Sequence, residues 1–323
     1  MLVSIIIPAY NRERIIVQTL KSLTEIDFPK DQFEIFVCDN NSKDNTAKVV
    51  KEFIEVNKEY NITYLFEERQ GVHYARNATA KKANGKYLYF TDDDMIADKA
   101  IIKELLFCFE WDEKVGVATG IVLPKWEETP PSWVLKHCAN YLLSLNDPSV
   151  DFVIDNNDCG IFSCHQMIRK DVFFLSGGFN PENTEGKWIG DGEAGLNMKI
   201  KQLAFKFALN RKSVIYHIIP KERLTQDYLD KRMMNEGNCH SYAFYRAYKP
   251  SIKRLLYGMI AMSYKMISLY TKSIWLKIRG NDYWHLRRAK SFYWLARIKY
   301  DYKLCRDVNW KALVLKSNWL EEA

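Results

Sequence analysis

Three consecutive carboxylates, Asp92-Asp93-Asp94, follow directly on the apolar run Tyr87–Phe90. Crowded side by side, they repel one another and raise one another's pKa. A hard divalent cation removes that cost, and two carboxylates with phosphate oxygens and water suit Mn2+ or Mg2+. A solvated acidic turn opening the next helix would use the same residues, since a helix N-terminus also favours anions. Other residues could take part in chemistry, each with a plainer alternative. Asp39 ends the apolar run Phe33–Cys38 and could be only a turn former. Arg76 could be a surface ion pair, and Asp191 and Glu193 could simply complement a helix dipole. Trp188 could merely pack, and a lone histidine such as His217 is usually structural. Cys159, Cys164 and His165 have no recognised zinc spacing, so zinc is not expected.

The pattern of apolar residues predicts the elements that would bring these groups together. Leu2–Ile7, Phe33–Cys38, Ile62–Phe66, Tyr87–Phe90 and Val115–Ile121 read as buried strands. Helical spacing falls between them: Ile15, Ile16, Leu20 and Leu23 behind an N-cap at Asn11; Val49, Val50, Phe53 and Ile54; about Val72–Ala83 after Gly71; and about Asp98–Trp111. Alternating strands and helices imply an α/β fold with parallel strands joined by crossovers. In such sheets ligands bind beyond the carboxyl ends of the strands. Pro8–Asn11, Asp39–Ser42 and Asp92–Asp94 all lie at such ends, so they are expected at one sheet edge. The next stretch is less regular. It reads as a loop Lys125–Pro131, a helix Trp133–Leu145, one or two strands in Asp151–Arg169, a turn Ser176–Phe179 and a mobile loop Asn180–Gly190. A helix from near Asp191 carries Leu196, Ile200 and Leu203, and two short strands, Phe205–Leu209 and Ser213–His217, close the series.

Four blocks in this order resemble the family 2 glycosyltransferases of the GT-A fold. They are Ser4-Ile5-Ile6-Ile7-Pro8-Ala9-Tyr10-Asn11; Asp39-Asn40-Asn41-Ser42 with Asp44 and Thr46; Ala75-Arg76-Asn77; and Phe90-Thr91-Asp92-Asp93-Asp94. The resemblance covers roughly residues 1–220 and implies a GT-A-type nucleotide-sugar-binding domain with a mostly parallel central sheet flanked by helices. Its donor half would be about 1–122 and its acceptor half about 123–220. It also implies an inverting, metal-dependent hexosyltransferase with Mn2+ or Mg2+ as cofactor. Asp39 would contact the base and Arg76 the nucleotide, while Pro8, Tyr10 and Asn11 shape the nucleotide pocket. Asp92 would meet the ribose or the metal, Asp93 would join the donor contacts, Asp94 would ligate the metal and His217 would complete its site. The family's Glu-Asp pair falls on Gly190-Asp191, a departure that makes Asp191 the candidate base and Glu193 the runner-up, with Trp188 beside the acceptor. The donor is expected to be a UDP-sugar, and the acceptor a glycan or lipid-linked hydroxyl in cell-surface polysaccharide or glycolipid synthesis.

Bulk properties narrow the remaining choices. The 323 residues carry a formal charge of +7, but residues 221–323 alone hold 21 Lys/Arg against 9 Asp/Glu. A mildly acidic body is thus followed by a basic, aromatic-rich helical extension. Residues 250–303 read as two helices separated by Gly280-Asn281-Asp282, with Lys265, Lys272 and Arg279 near one face. Such helices can lie against an anionic membrane surface or pack on the body with their cations in water. The seven cysteines form no CxxC pair, which argues against a disulfide scaffold and for a reducing compartment. No signal core or 18-residue apolar span is read, so the expected location is cytoplasmic, peripheral on the cytoplasmic face of a membrane. Two other readings are a sugar nucleotidyltransferase, which would want a Gly-rich triphosphate loop that Pro8–Arg14 lacks, and a non-catalytic nucleotide or RNA binder. No RNA-binding aromatic platform is seen, so nucleic acid is not an expected partner. Oligomeric state is not legible.

Overall fold

The computed structural model describes residues 1–137, 143–184 and 187–321. Cys138, the middle of the predicted helix Trp133–Leu145 and positions 185–186 of the predicted loop Asn180–Gly190 lie outside these residues. Strands and helices alternate through β1 (Val3–Ala9), α1 (Ile16–Thr24), β2 (Phe33–Asp39), α2 (Thr46–Val56), β3 (Ile62–Phe66), α3 (Val72–Lys82) and β4 (Tyr87–Thr91). Then come β5 (Met95–Ala97), α4 (Ile101–Trp111), β6 (Val115–Trp126), α5 (Ser132–His137), β7 (Phe152–Asp155), β8 (His165–Arg169) and α6 (Lys170–Leu175). The small hairpin β9 (Asn183–Thr184) and β10 (Lys187–Trp188) precedes α7 (Gly192–Gln202) and β11 (Lys206–Ile219). Four helices end the chain: α8 (Gln226–Tyr248), α9 (Ile252–Ile278), α10 (Trp284–Arg306) and α11 (Val308–Leu315).

The main sheet has the order β3-β2-β1-β4-β8-β6-β11-β5, with β7 also pairing β11. Its first four strands are parallel, as the crossovers require. Beyond β4 the sheet becomes mixed: β8 lies antiparallel between β4 and β6, and β11 runs parallel to β6. Period-two alternation sends Val3, Ile5 and Ile7 to one face, against α1, α2 and α4. Ile6, Leu88 and Phe90 point to the other, against Phe173, Phe179, Leu196 and Ile200. The order places β1, β2 and β4 side by side, so their polar carboxyl ends share one edge.

Several local expectations are corrected. Asn11 is not a helix N-cap: it has φ 54° and is followed by a turn, and α1 starts only at Ile16. A short side chain that bonds nearby backbone tolerates this left-handed conformation. The two short strands expected around Phe205–Leu209 and Ser213–His217 are one strand, β11, whose register shifts against β6 between Leu209 and Val214. The irregularity absorbs residues 210–212 within the strand. β6 likewise runs to Trp126, beyond the expected end at Ile121. Among the described residues no helix is long and apolar enough to cross a membrane.

The C-terminal helices are tied to the body. Ile189 shares a buried cluster with Tyr242 and Tyr245 of α8, Leu255 of α9, Tyr300 and Leu304 of α10, and Trp310 of α11. Tyr300 also donates its hydroxyl hydrogen to the Ile189 carbonyl. The segment leading into α7 is therefore braced by the extension.

Candidate active site

Side chains stitch the carboxyl ends of β1 and β2 together. The Asn11 amide donates to Ser42 Oγ at 3.0 Å, and the Lys43 amide donates to Asn11 Oδ1 at 2.8 Å. The Arg12 amide donates to Thr46 Oγ1 at 2.7 Å, and that of Glu13 to Asp44 Oδ2 at 3.2 Å. The polar residues after β2 thus act largely as a latch between loops. Asp39 is buried; it accepts from the Ser42 amide (2.9 Å) and the Tyr64 hydroxyl (2.8 Å). Asn40 reaches the next crossover, accepting from the Gly71 amide at 2.6 Å and donating to the Arg69 carbonyl at 2.7 Å. This holds the N-terminus of α3 in place.

A cavity of about 560 Å3 opens at this edge, lined by Pro8, Tyr10, Asp92, Asp93, Asp94 and His217 among others. Asn11 and Asp39 lie in the latch and do not line the cavity, whereas Asn40 does. An arginine meets each of the three adjacent acids. Arg12 pairs with Asp93 at 2.8 Å, Arg223 with Asp94 at 2.8 Å, and Arg76 with Asp92. Burial, and then the charge of Asp94, drive Asp93 upward despite its Arg12 partner. For Asp94 burial acts upward too, but the Arg223 and Arg12 guanidiniums draw it below the usual carboxylate range. Arg12, Arg223, Tyr228 and Arg232 also line this cavity. Sequence reasoning assigned them no role; the only signal was that Arg12 directly follows the first polar block.

The donor set suits a divalent cation. His217 Nδ1 donates to the Leu143 carbonyl at 2.7 Å, which leaves the lone pair on Nε2. That nitrogen lies 3.6 Å from Asp94 Oδ2. A backbone carbonyl fixing the tautomer is the usual support of a ligating imidazole. Arg223 donates to the same Nε2, so a guanidinium sits against the lone pair a metal would use.

Arg76 lines a second, neighbouring cavity of about 270 Å3 and not the one at the sheet edge. It is buried on α3 and donates to Ser163 Oγ at 2.8 Å and to Asp92. The neighbouring Asn77 clamps the chain after α6, bonding the Phe179 amide and carbonyl at 3.0 Å each. Trp188, Asp191 and Glu193 line this second cavity with Ser163 and Glu182. The two cavities adjoin, sharing Val72, Asp92, Ser144 and Arg232 in their walls. Trp188 Nε1 is buried, and its nearest polar neighbour is the Cys239 thiol.

The two candidate bases have different surroundings. Asp191 precedes α7, is buried, and accepts from Asn180 Nδ2 at 2.8 Å. Burial pushes its carboxyl up to about 6, against the opposing pull of Asn180, Arg246 and Lys199. Glu193 instead accepts from Ser163 Oγ at 3.3 Å, continuing a chain through Arg76 to Asp92. Ligand atoms of His73, Glu182 and Glu193 lie within 4.8 Å of one another, a spacing that a metal ion could bridge. However, Arg76 Nη1 donates to His73 Nδ1 at 3.3 Å, and burial, with the Arg76 charge, lowers this ring to about 3. The neutral ring therefore keeps its proton on Nε2, the atom facing Glu182. A cation there would require Arg76 to release Nδ1.

A sheet whose first half is parallel and whose second half is mixed, flanked by helices, is the architecture of the GT-A fold. The profile described as "Glycosyl transferase family 2" matches residues 4–174, and the chain belongs to that family. It is 35% identical over 123 residues to the probable glycosyltransferase YdaM of Bacillus subtilis, covering 36% of this chain and 29% of that protein. It is 35% identical over 102 residues to the poly(ribitol-phosphate) beta-N-acetylglucosaminyltransferase TarS of Staphylococcus aureus, covering 31% of this chain and 18% of TarS. The matched stretches are thus less than a third of those relatives' length. Among solved structures, the mannosyltransferase PcManGT from Pyrobaculum calidifontis, in complex with GDP-Man and Mn2+, superposes with a TM-score of 0.63. The identity is 16%, over 93% of this chain and 86% of that one. S. aureus TarS 1–349 gives a TM-score of 0.51 at 16% identity, over 93% and 91%. These likenesses establish the shared fold.

Proposed function

We propose that this chain is an inverting glycosyltransferase acting on a nucleoside diphosphate sugar, with UDP as the nucleotide. It would pass the sugar to a hydroxyl of a glycan or lipid-linked acceptor in cell-surface polysaccharide or glycolipid synthesis. Residues 1–220 would be catalytic, with a donor half of about 1–122 and an acceptor half of about 123–220; residues 221–323 would be a helical extension. The observation that carries the reading is the pair of adjoining cavities, one walled by acids and arginines and the other by the buried Asp191 and the half-buried Glu182 and Glu193, with Asp92 common to both. The name of TarS points the same way for a sugar transferred to a surface polymer.

Asp39, whose carboxylate is held by Ser42 and Tyr64, would read the base, and Pro8 and Tyr10 would enclose the nucleoside. Arg12, Arg223 and Arg232 are cations on the diphosphate side. Asp94, Asp92 and His217 would hold Mn2+ or Mg2+, which when bound neutralises charge building on the leaving diphosphate. Trp188 would present its ring to the acceptor. The acceptor oxygen attacks the anomeric carbon as the bond to the diphosphate oxygen breaks, and Asp191 takes the hydroxyl proton. Glu193 would orient Arg76 through Ser163.

The test is release of UDP from a panel of UDP-sugars with Mn2+, with Mg2+ and after chelation. Turnover of at least one UDP-sugar that stops on chelation is expected. No binding of any sugar nucleotide by calorimetry, with either metal, would overturn the reading.

A further inference from the structure

Helix α9 carries a long apolar face that no other part of the described chain covers. It packs on α10 through the side marked by the buried Leu255 and Ser273. On its outer side Leu256, Ile260, Ile267, Ile274 and Ile278 are 48–80% exposed. At 3.6 residues per turn these five fall within about 40° of arc and run along roughly 33 Å of helix. Tyr257, Tyr264 and Trp275, 52–77% exposed, lie to one side of that ridge. Arg254, Lys265, Lys272 and Arg279 form the next stripe around the cylinder. Lys253 and Lys277 border the ridge towards the two ends of the helix; otherwise the order around it is aliphatic, aromatic, cationic, then buried. That is the polarity gradient of a helix lying in the plane of a membrane interface.

The charges decide what covers the face. No Asp or Glu occurs from Gly237 to Asn281. The α9 cations rest against rings, Lys265 over Trp294 at 4.6 Å and Arg279 over Trp275 at 4.0 Å. A second copy docked on this face would bring cations near cations with no carboxylate from either α9 between them. An anionic bilayer supplies both an apolar layer for the ridge and phosphates for the flanking stripe. We propose that the outer face of α9 seats in the headgroup–acyl boundary of a membrane rich in anionic lipid. The proposal rests on this helix alone and is independent of the donor chemistry.

The full chain would be floated with phosphatidylcholine vesicles and with vesicles containing phosphatidylglycerol, at low and high salt. Wild type is expected to float with the anionic vesicles, less so at high salt, and poorly with the neutral ones. Ile260→Glu/Ile267→Glu/Ile274→Glu should reduce partitioning at least tenfold, and Lys265→Glu/Lys272→Glu/Arg279→Glu should abolish the preference for anionic lipid. Circular dichroism melts would check the fold. Should a triple variant melt early, Ile267→Glu and Lys272→Glu alone are expected to lower partitioning severalfold in the same assay. Wild type that stays with the unbound fraction, or ridge variants that float like wild type, would overturn the proposal. So would a dimer, seen by sedimentation velocity, that the ridge variants dissociate, because the face would then belong to a second copy.

Discussion

Replacing Asp191 with Asn separates what that carboxylate does for chemistry from what it costs the fold. The group is 5% exposed, and its recorded hydrogen-bond donor is the neutral Asn180 amide at 2.8 Å. Lys199, the nearby cation, spends its ammonium on the Gly178 carbonyl and Asn180 Oδ1 instead. Burial raises the carboxyl from 3.8 to about 6. That rise corresponds to about 3 kcal/mol against the ionised form. Between those two values the folded chain binds more protons than the unfolded one, so stability falls as pH rises through the window. Asn carries no charge at any pH. The Asp191→Asn variant should therefore melt higher than wild type at pH 8, by up to roughly 5 °C. The difference should shrink towards zero by about pH 4. Activity should move the other way. Loss of a general base costs about 100- to 10,000-fold in turnover, while donor affinity stays within about twofold because the latch and the acid triplet are untouched. Wild-type turnover should fall tenfold per pH unit below about 6, as the base becomes protonated. Thermal melts at several pH values and UDP release on the same samples would measure both effects. An Asn variant that turns over normally, or whose stability gain is the same at pH 4 and pH 8, would refute the assignment.

Glu193→Gln should keep the limb near pH 6 but raise the donor KM, because Glu193 reaches the donor side through Ser163 and Arg76; a lost limb in steady-state profiles would make Glu193 the base. Asp94→Asn should weaken Mn2+-dependent UDP binding by calorimetry at least tenfold, since a charged, buried acceptor is lost. Asp39→Asn should weaken UDP binding by roughly 1–3 kcal/mol and affect uridine and other nucleosides unequally; equal losses for all bases would remove its proposed role in base reading. Gly192→Ala should cost at least about 1 kcal/mol in urea unfolding. Its φ is 51°, and an added Cβ would stand 2.5 Å from His73 Nε2.

What the sequence by itself determined is the part governed by near neighbours along the chain. Short continuous apolar runs marked β1, β2 and β4, buried on both faces, and helical spacing marked the crossovers, because both signals lie within a few residues of chain. Crossover handedness and strand order then gather three polar strand ends at one edge, so the acid triplet and the first two loops were legible as a site. Only the tertiary structure decided how the charges are met. Arg223 lies 129 residues from Asp94, and Ser163 lies 87 from Arg76. No local rule links such positions; the packing of distant segments does. The same reason explains why Asn11 and Asn77 proved to be clamps, why Arg76 sits between two cavities, and why one strand replaced two after Phe205. It also explains α9. Its apolar residues spread over more than one face, and only docking on α10 shows which of them are left facing outward.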